Sequence, residues 1–320
     1  MTASTIRTPA TSTPPPASRW TPTPTLSRAG WTVLTAVVPM VWGSTYIVTT
    51  HALPQGHPLF AAMMRCLPAG LIALLIARQV PHGSWWWKSL VLGTLNMGLF
   101  FPLLFIAAQQ LPGGVAATLG AVQPIIVALL AVVILREILS LWRVGWGALG
   151  MIGVGLVVLG PDAALSPGGV VAGLAGAASM GTGVVLTKKW GCPEGASPVG
   201  LAAWQLTAAG LVLLLPAVLL DGAPSGIDHA AVVGYAWLGL IGGLLAYTVW
   251  FAGIRRLSVT ATALLGLLSP VTAAILGAVL AGERPTWAQM LGLAAALTAM
   301  VAGQLPSPAQ RTTAQTGRTT

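Results

Sequence analysis

The chain has 320 residues, of which 55% are hydrophobic and 7% charged, with a mean hydropathy of +0.83 and a formal net charge of +9. A soluble domain carries about a quarter charged residues, so this chain has too little polar surface to clothe a globule in water, and lipid is the solvent it fits. The basic residues are scattered singly and in pairs, which excludes a nucleic-acid surface and assigns the charge to membrane topology.

Residues 1–30 are rich in Thr, Pro and Ser and lack the apolar core of a signal peptide, so they read as a disordered tail. Ten apolar stretches follow, each near the roughly 20 residues that cross about 30 Å of hydrocarbon. They run 31–49, 58–77, 88–108, 114–135, 142–160, 168–187, 198–220, 230–254, 258–281 and 286–305. The first carries Trp42 and Tyr46, four apart on one helical face, with Gly43 between them. The second carries Arg65, about eight residues from its start. Asn96 lies in the third, Gln123-Pro124 in the fourth, Gln205 in the seventh, Tyr247 in the eighth and Ser269-Pro270 in the ninth. Residues 306–320 form a second polar tail. Trp85-Trp86-Trp87 with Lys88 reads as an interfacial anchor. Cys66 and Cys192 are far apart and suit neither a disulfide framework nor a metal site.

With the first tail cytoplasmic, alternate connections are cytoplasmic too, and thirteen of the fifteen basic residues then fall inside. Arg284 falls outside and Arg65 within a span, while Asp162, Asp221, Asp228 and Glu283 fall outside. This segregation supports ten spans with both termini in the cytoplasm of a plasma (inner) membrane.

The stretch LGAVQPIIVALLAVVILRE, 119–137, returns as LGLLSPVTAAILGAVLAGE, 265–283, with seven of nineteen positions identical, Pro and Glu among them. The same shift of 146 pairs Phe105 with Phe251 and Gly93 with Gly239. A shift of 140 pairs Pro58 with Pro198, Ala62 with Ala202 and Gly70 with Gly210, and one of 138 pairs Gly43 with Gly181 and Thr49 with Thr187. Each half therefore holds five spans, 31–160 and 168–305, and five being odd, the second half enters the membrane upside down. The expectation is an all-α integral membrane protein of ten transmembrane helices in two inverted five-helix repeats, an architecture of secondary transporters.

Trp42-Gly43-Ser44-Thr45-Tyr46, Arg65 and the repeated Pro-to-Glu segments ending at Arg136-Glu137 and Gly282-Glu283-Arg284 resemble the EamA family of the drug/metabolite transporter superfamily. The likeness covers about residues 31 to 305. It implies movement of small metabolites, often export of amino acids or related compounds, through a central cavity, with the fifth and tenth spans peripheral. It specifies no substrate.

Arg65 is the leading binding candidate. A charge near a span centre costs about 2.5–3.5 kcal/mol and so faces the bundle interior or water, and a guanidinium grips a carboxylate in a forked geometry. The competing role is an anchor on helix carbonyls. Its repeat counterpart is the neutral Gln205. Trp42 and Tyr46 either stack on a solute or pack between helices. Pro124 and Pro270 kink their helices by removing a donor, and the polar Gln123 and Ser269 before them serve either the solute or the freed backbone. Asn96, Gln205 and Tyr247 complete the candidate set, with interhelical bonding as the alternative. Glu137 and Glu283 read as helix-end groups. No mid-span Asp or Glu offers a proton relay, and no metal or cofactor is called for.

These features point to a secondary transporter whose partners are a small-molecule substrate and the bilayer, with no nucleic acid and with room for a homo-oligomer. A non-transporting scaffold or receptor is the alternative. An integral membrane enzyme is weaker, because the four histidines lie near span ends and no paired-acid or HExxH motif occurs.

Overall fold

The structure is a computed structural model that describes residues 26–111, 119–158, 166–281 and 286–305. Residues 1–25, the tail from 306 and Glu283 lie outside this set. Among the described residues every regular element is helical.

The helices begin where local chemistry allows. Ser27, Ser166, Ser197, Asp228 and Ser258 each accept a first-turn backbone N–H through the side chain, at 2.8–3.4 Å. Pro58, Pro167 and Pro198 occupy first-turn positions, where the missing N–H costs nothing. The helices are α1 (Arg28–Gly43), α2 (Thr45–Ala52), α3 (Pro58–Ala77), α4 (Trp85–Gly93), α5 (Phe100–Gln110), α6 (Gln123–Leu135) and α7 (Leu141–Val158). They continue as α8 (Pro167–Trp190), α9 (Pro198–Pro216), α10 (His229–Ala236), α11 (Ala246–Arg256), α12 (Val259–Leu265), α13 (Leu268–Ala281) and α14 (Trp287–Gln304). Three π-helical stretches, Thr94–Gly98, Ala217–Asp221 and Trp237–Leu245, lie within or end long apolar helices.

Among the described residues, six segments are long and apolar enough to cross a membrane: Arg28–Ala52, Pro58–Ala77, Trp85–Ala107, Pro167–Trp190, Pro198–Asp221 and His229–Arg256. Shorter apolar helices occupy parts of the expected fourth, fifth, ninth and tenth spans. Leu75, Val133, Leu220 and Leu291 stand exposed, as side chains facing lipid do.

Two crossings tie the halves together. Where α3 meets α9, a methyl on Gly70 would lie 2.5 Å from the Thr207 nitrogen, and one on Gly210 would lie 2.6 Å from the Leu67 Cα. Shifting Leu67 and Gly70 by 140 gives Thr207 and Gly210, so each contact is the counterpart of the other. Where α7 meets α14, Gly150 abuts Ala299 and Gly153 abuts Ala296, which is again reciprocal under the shift of 146. Small residues here let backbones approach, the way helices associate in lipid.

The ends of α3 and α9 are also fastened across the halves, through residues that are not repeat counterparts. Asp221 Oδ2 accepts from the Leu59 and Phe60 backbone N–H groups at 2.6 and 3.0 Å, so the end of one helix caps the start of the other. At the opposite end, Gln79 Oε1 accepts from the Ser197 N–H and hydroxyl, both at 2.9 Å. The Lys88 ammonium lies 5.4 Å from the Trp85 ring centroid, 5.9 Å from that of Trp87 and 6.0 Å from that of Trp190. Arg136 ends α6 in the left-handed region, φ 56°, and the Glu137 N–H donates to the Ala131 carbonyl at 3.2 Å.

The expected kinks at Pro124 and Pro270 take a different form. Pro124 is the second residue of α6 and Pro270 the third of α13. Turns at 121–122 and 266–267 precede them. The fourth and ninth spans are thus broken ahead of proline rather than bent at it. The reason is that proline fits a first helical turn without loss, whereas inside a helix it clashes with the carbonyl four residues earlier.

Candidate functional site

The broken helices, with α1, α2, α3, α5, α8 and α11, line a cavity of about 90 Å³. It is lined by residues from both halves, largely at equivalent positions. Trp42 and Met180 are related by 138, and Phe101 and Tyr247, like Leu104 and Trp250, by 146. Gly120 and Gly266, Gln123 and Ser269, and Pro124 and Pro270 also line it and are related by 146. The cavity therefore sits where the repeated segments converge.

Eight of the ten residues singled out in the sequence line this cavity: Trp42, Tyr46, Arg65, Gln123, Pro124, Tyr247, Ser269 and Pro270. Asn96 and Gln205 do not. The Asn96 amide donates to Gln205 Oε1 at 2.8 Å and to Thr187 Oγ1 at 3.3 Å, and the Tyr247 hydroxyl donates to the Asn96 carbonyl at 3.4 Å. These two amides form a buried interhelical network beside the cavity. The pairing occupies the Asn96 amide nitrogen and Gln205 Oε1, where an isolated amide in an apolar bundle would be costly, while Gln205 Nε2 is buried without a partner.

Arg65 is 2% exposed and has no carboxylate partner among the described residues. Its Nη1 donates to Thr45 Oγ1 at 3.2 Å and its Nη2 to the Gly242 carbonyl at 3.3 Å, while its guanidinium carbon lies 4.3 Å from the Phe101 ring centroid. Gly242 belongs to the π-helical stretch Trp237–Leu245, and its carbonyl also accepts from Trp42 Nε1 at 2.9 Å. A π bulge displaces the regular ladder, and such bulges recur at functional sites. Arg65 is thus anchored on a carbonyl and also lines the cavity. Arg65 Nε and Trp250 Nε1 are buried without a hydrogen-bond partner.

The sequence reading passed over Thr45, Phe100, Phe101, Met180 and Trp250 as cavity groups. The repeat itself held the signal for two of them. Subtracting 146 from Tyr247 reaches Phe101, and adding 138 to Trp42 reaches Met180. Trp250 lies one helical turn beyond Tyr247. Nothing local marks Gly242, whose role depends on the π-helical backbone.

A model of the EamA-like transporter family matches residues 30–159 and again 167–302. The chain belongs to the EamA-like transporter family. It is 41% identical to protein PecM of Dickeya dadantii over 82% of this chain and 88% of that relative. A probable amino-acid metabolite efflux pump of Salmonella typhimurium is 30% identical over 81% of this chain and 89% of its own length. An uncharacterized inner membrane transporter of Escherichia coli K12, YedA, is 28% identical over 82% of this chain and 86% of its own. A crystal structure superposes with a TM-score of 0.73 at 19% identity, covering 87% of this chain and 99% of the other, a likeness of fold. This EamA-like chain is a multi-pass membrane protein of a transporter family.

Proposed function

We propose that the chain is a secondary transporter that exports small organic metabolites across the plasma membrane by alternating access. The observation that carries the reading is one cavity lined from both halves at repeat-related positions, with a cation on its wall, Arg65, whose repeat counterpart is neutral and which is the single cation there among the described residues. In this reading the halves 31–160 and 168–305 are inverted five-helix units, both termini are cytoplasmic, and the halves rock about the midplane so that the cavity opens to one side and then the other. The reciprocal contacts at α3–α9 and α7–α14 support the two-fold relation. The relative named as an amino-acid metabolite efflux pump supports metabolites and export.

Arg65 grips an anionic group of the solute. Thr45 and the Gly242 carbonyl orient the guanidinium, whose Nε is buried without a hydrogen-bond partner. Proteoliposome flux over a panel of carboxylates tests this. Arg65→Gln, which installs the residue of the equivalent position, is expected to abolish carboxylate flux at normal protein yield. Flux equal to wild type would refute the assignment. Reporters fused after residues 137 and 283 are expected on opposite sides of the membrane, and matching sides would remove the inverted halves.

A further inference from the structure

We infer that the cavity selects a flat, conjugated anion, and that Trp250 is a specificity-determining residue that donates its indole N–H to that solute. The inference rests on the transport reading above and narrows its solute class.

The first observation is the state of the rings. Trp42 lies 5.0 Å from Tyr247 and 5.1 Å from Trp250 between centroids, with interplanar angles of 46° and 57°. Phe101 lies 6.5 Å from Tyr247 at 74°. None of these pairs is stacked face to face, so ring surface is left to meet a planar guest by offset or edge contacts. The second is charge. Among the described residues no acidic side chain lines the cavity, and Arg65 already lies over one ring. A cationic guest would meet a like charge in a low-dielectric space, where the repulsion is several-fold stronger than in water. The solute's amine, if it had one, would find no carboxylate. This disfavours an amino acid and favours a carboxylate without an amine.

The third observation assigns Trp250. Trp42 has spent its indole N–H on the Gly242 carbonyl, whereas Trp250 Nε1 is buried with no acceptor, as is Arg65 Nε. Both residues line the same cavity. Seven buried side-chain polar atoms lack a partner among the described residues, and of these only Arg65 Nε and Trp250 Nε1 belong to cavity-lining residues, where a guest could supply the acceptor. One carboxylate supplies oxygens to both. A water needs about 10–15 Å³ of such space, so about 90 Å³ admits on the order of six to nine heavy atoms, the size of a single-ring carboxylate.

Full-length protein in detergent is titrated with benzoate, cyclohexanecarboxylate and benzylamine while its thermal unfolding is followed. Benzoate is expected to stabilise at about tenfold lower concentration than cyclohexanecarboxylate, and benzylamine not at all. Trp250→Phe keeps a ring, removes the donor, and is expected to weaken benzoate binding about tenfold or more. In wild-type protein carrying 15N at its tryptophan indoles, one indole N–H signal is expected to move downfield on saturation with benzoate, a measurement that does not depend on the variant folding. Equal response to the two carboxylates, with both lost in Arg65→Gln, overturns the flat-guest inference and leaves the anion site standing. Benzylamine acting best overturns it as well. No indole shift, or unchanged affinity in Trp250→Phe, overturns the role of Trp250. No response to either carboxylate, or a benzoate response that survives Arg65→Gln, overturns the transport reading's anion site itself.

Discussion

Substituting Gly70 and Gly210 with valine, singly and together, tests whether the α3–α9 crossing is the reciprocal contact described above. The first carbon of a side chain at Gly70 would stand 2.5 Å from the Thr207 nitrogen and 2.9 Å from the Leu206 carbonyl carbon. At Gly210 it would stand 2.6 Å from the Leu67 Cα and 2.7 Å from the Leu67 nitrogen. These neighbours are backbone and cannot swing aside. Non-bonded carbons rest at about 3.5–4.0 Å, so either substitution drives the helices apart by about 1 Å. Overpacking of this kind costs about 1–3 kcal/mol, and the helix propensity of valine over glycine returns only a few tenths. Each single variant is therefore expected to lose about 2 kcal/mol. One separation of the helices relieves both clashes, so the double variant is expected to lose less than the sum, with a coupling of about 1 kcal/mol or more. Denaturant or thermal unfolding of purified protein measures both quantities. Gly145→Val serves as the control, because nothing lies within 4 Å of a methyl there. A neutral single variant, or a double variant whose loss equals the sum, would refute the reciprocal crossing.

Two further predictions concern the ends of the bundle. Asp221→Ala removes the carboxylate that accepts from Leu59 and Phe60 across the halves, and is expected to cost about 1–2 kcal/mol in the same assay, with Asp221→Asn recovering part of it. An unchanged stability would show that α3 needs no cap from α9. Burial holds the Cys192 thiol above its ordinary range, with Arg255 partly opposing the shift. The thiolate is the reactive form, so maleimide labelling of Cys192 is expected to be slow near neutrality and to rise with pH as the thiol ionises. An impermeant reagent is expected to reach it from the cytoplasmic face alone, and the buried Cys66 is expected to stay unlabelled. Labelling from the outer face would overturn the orientation read from the basic residues.

Much of the site was legible because duplication writes it twice. Trp42, Arg65, Gln123, Tyr247 and Ser269 were found from span position, polarity in apolar text and repeat pairing, and all line the cavity. Asn96 and Gln205 carried the same signals and yet bond to each other. Polarity within a span says that a partner is required, not which one. Whether that partner is a solute or a neighbouring amide depends on which helix faces are brought together. The prolines illustrate the same limit: each marked a disturbance, and only the packed chain distinguished a break from a bend.

By itself the sequence determined that the protein is a helical chain suited to lipid and that it carries an internal repetition, and it set an expectation for the orientation. These follow from apolar run length, charge placement and local pairing, all of which act along the chain. The tertiary structure decided which side chains meet. The π-helical carbonyl of Gly242 that gathers Arg65 and Trp42, and the capping of α3 by Asp221, join residues about 160 to 200 positions apart. Such contacts are set by close approach of whole helices, and no local pattern of residues encodes that distance.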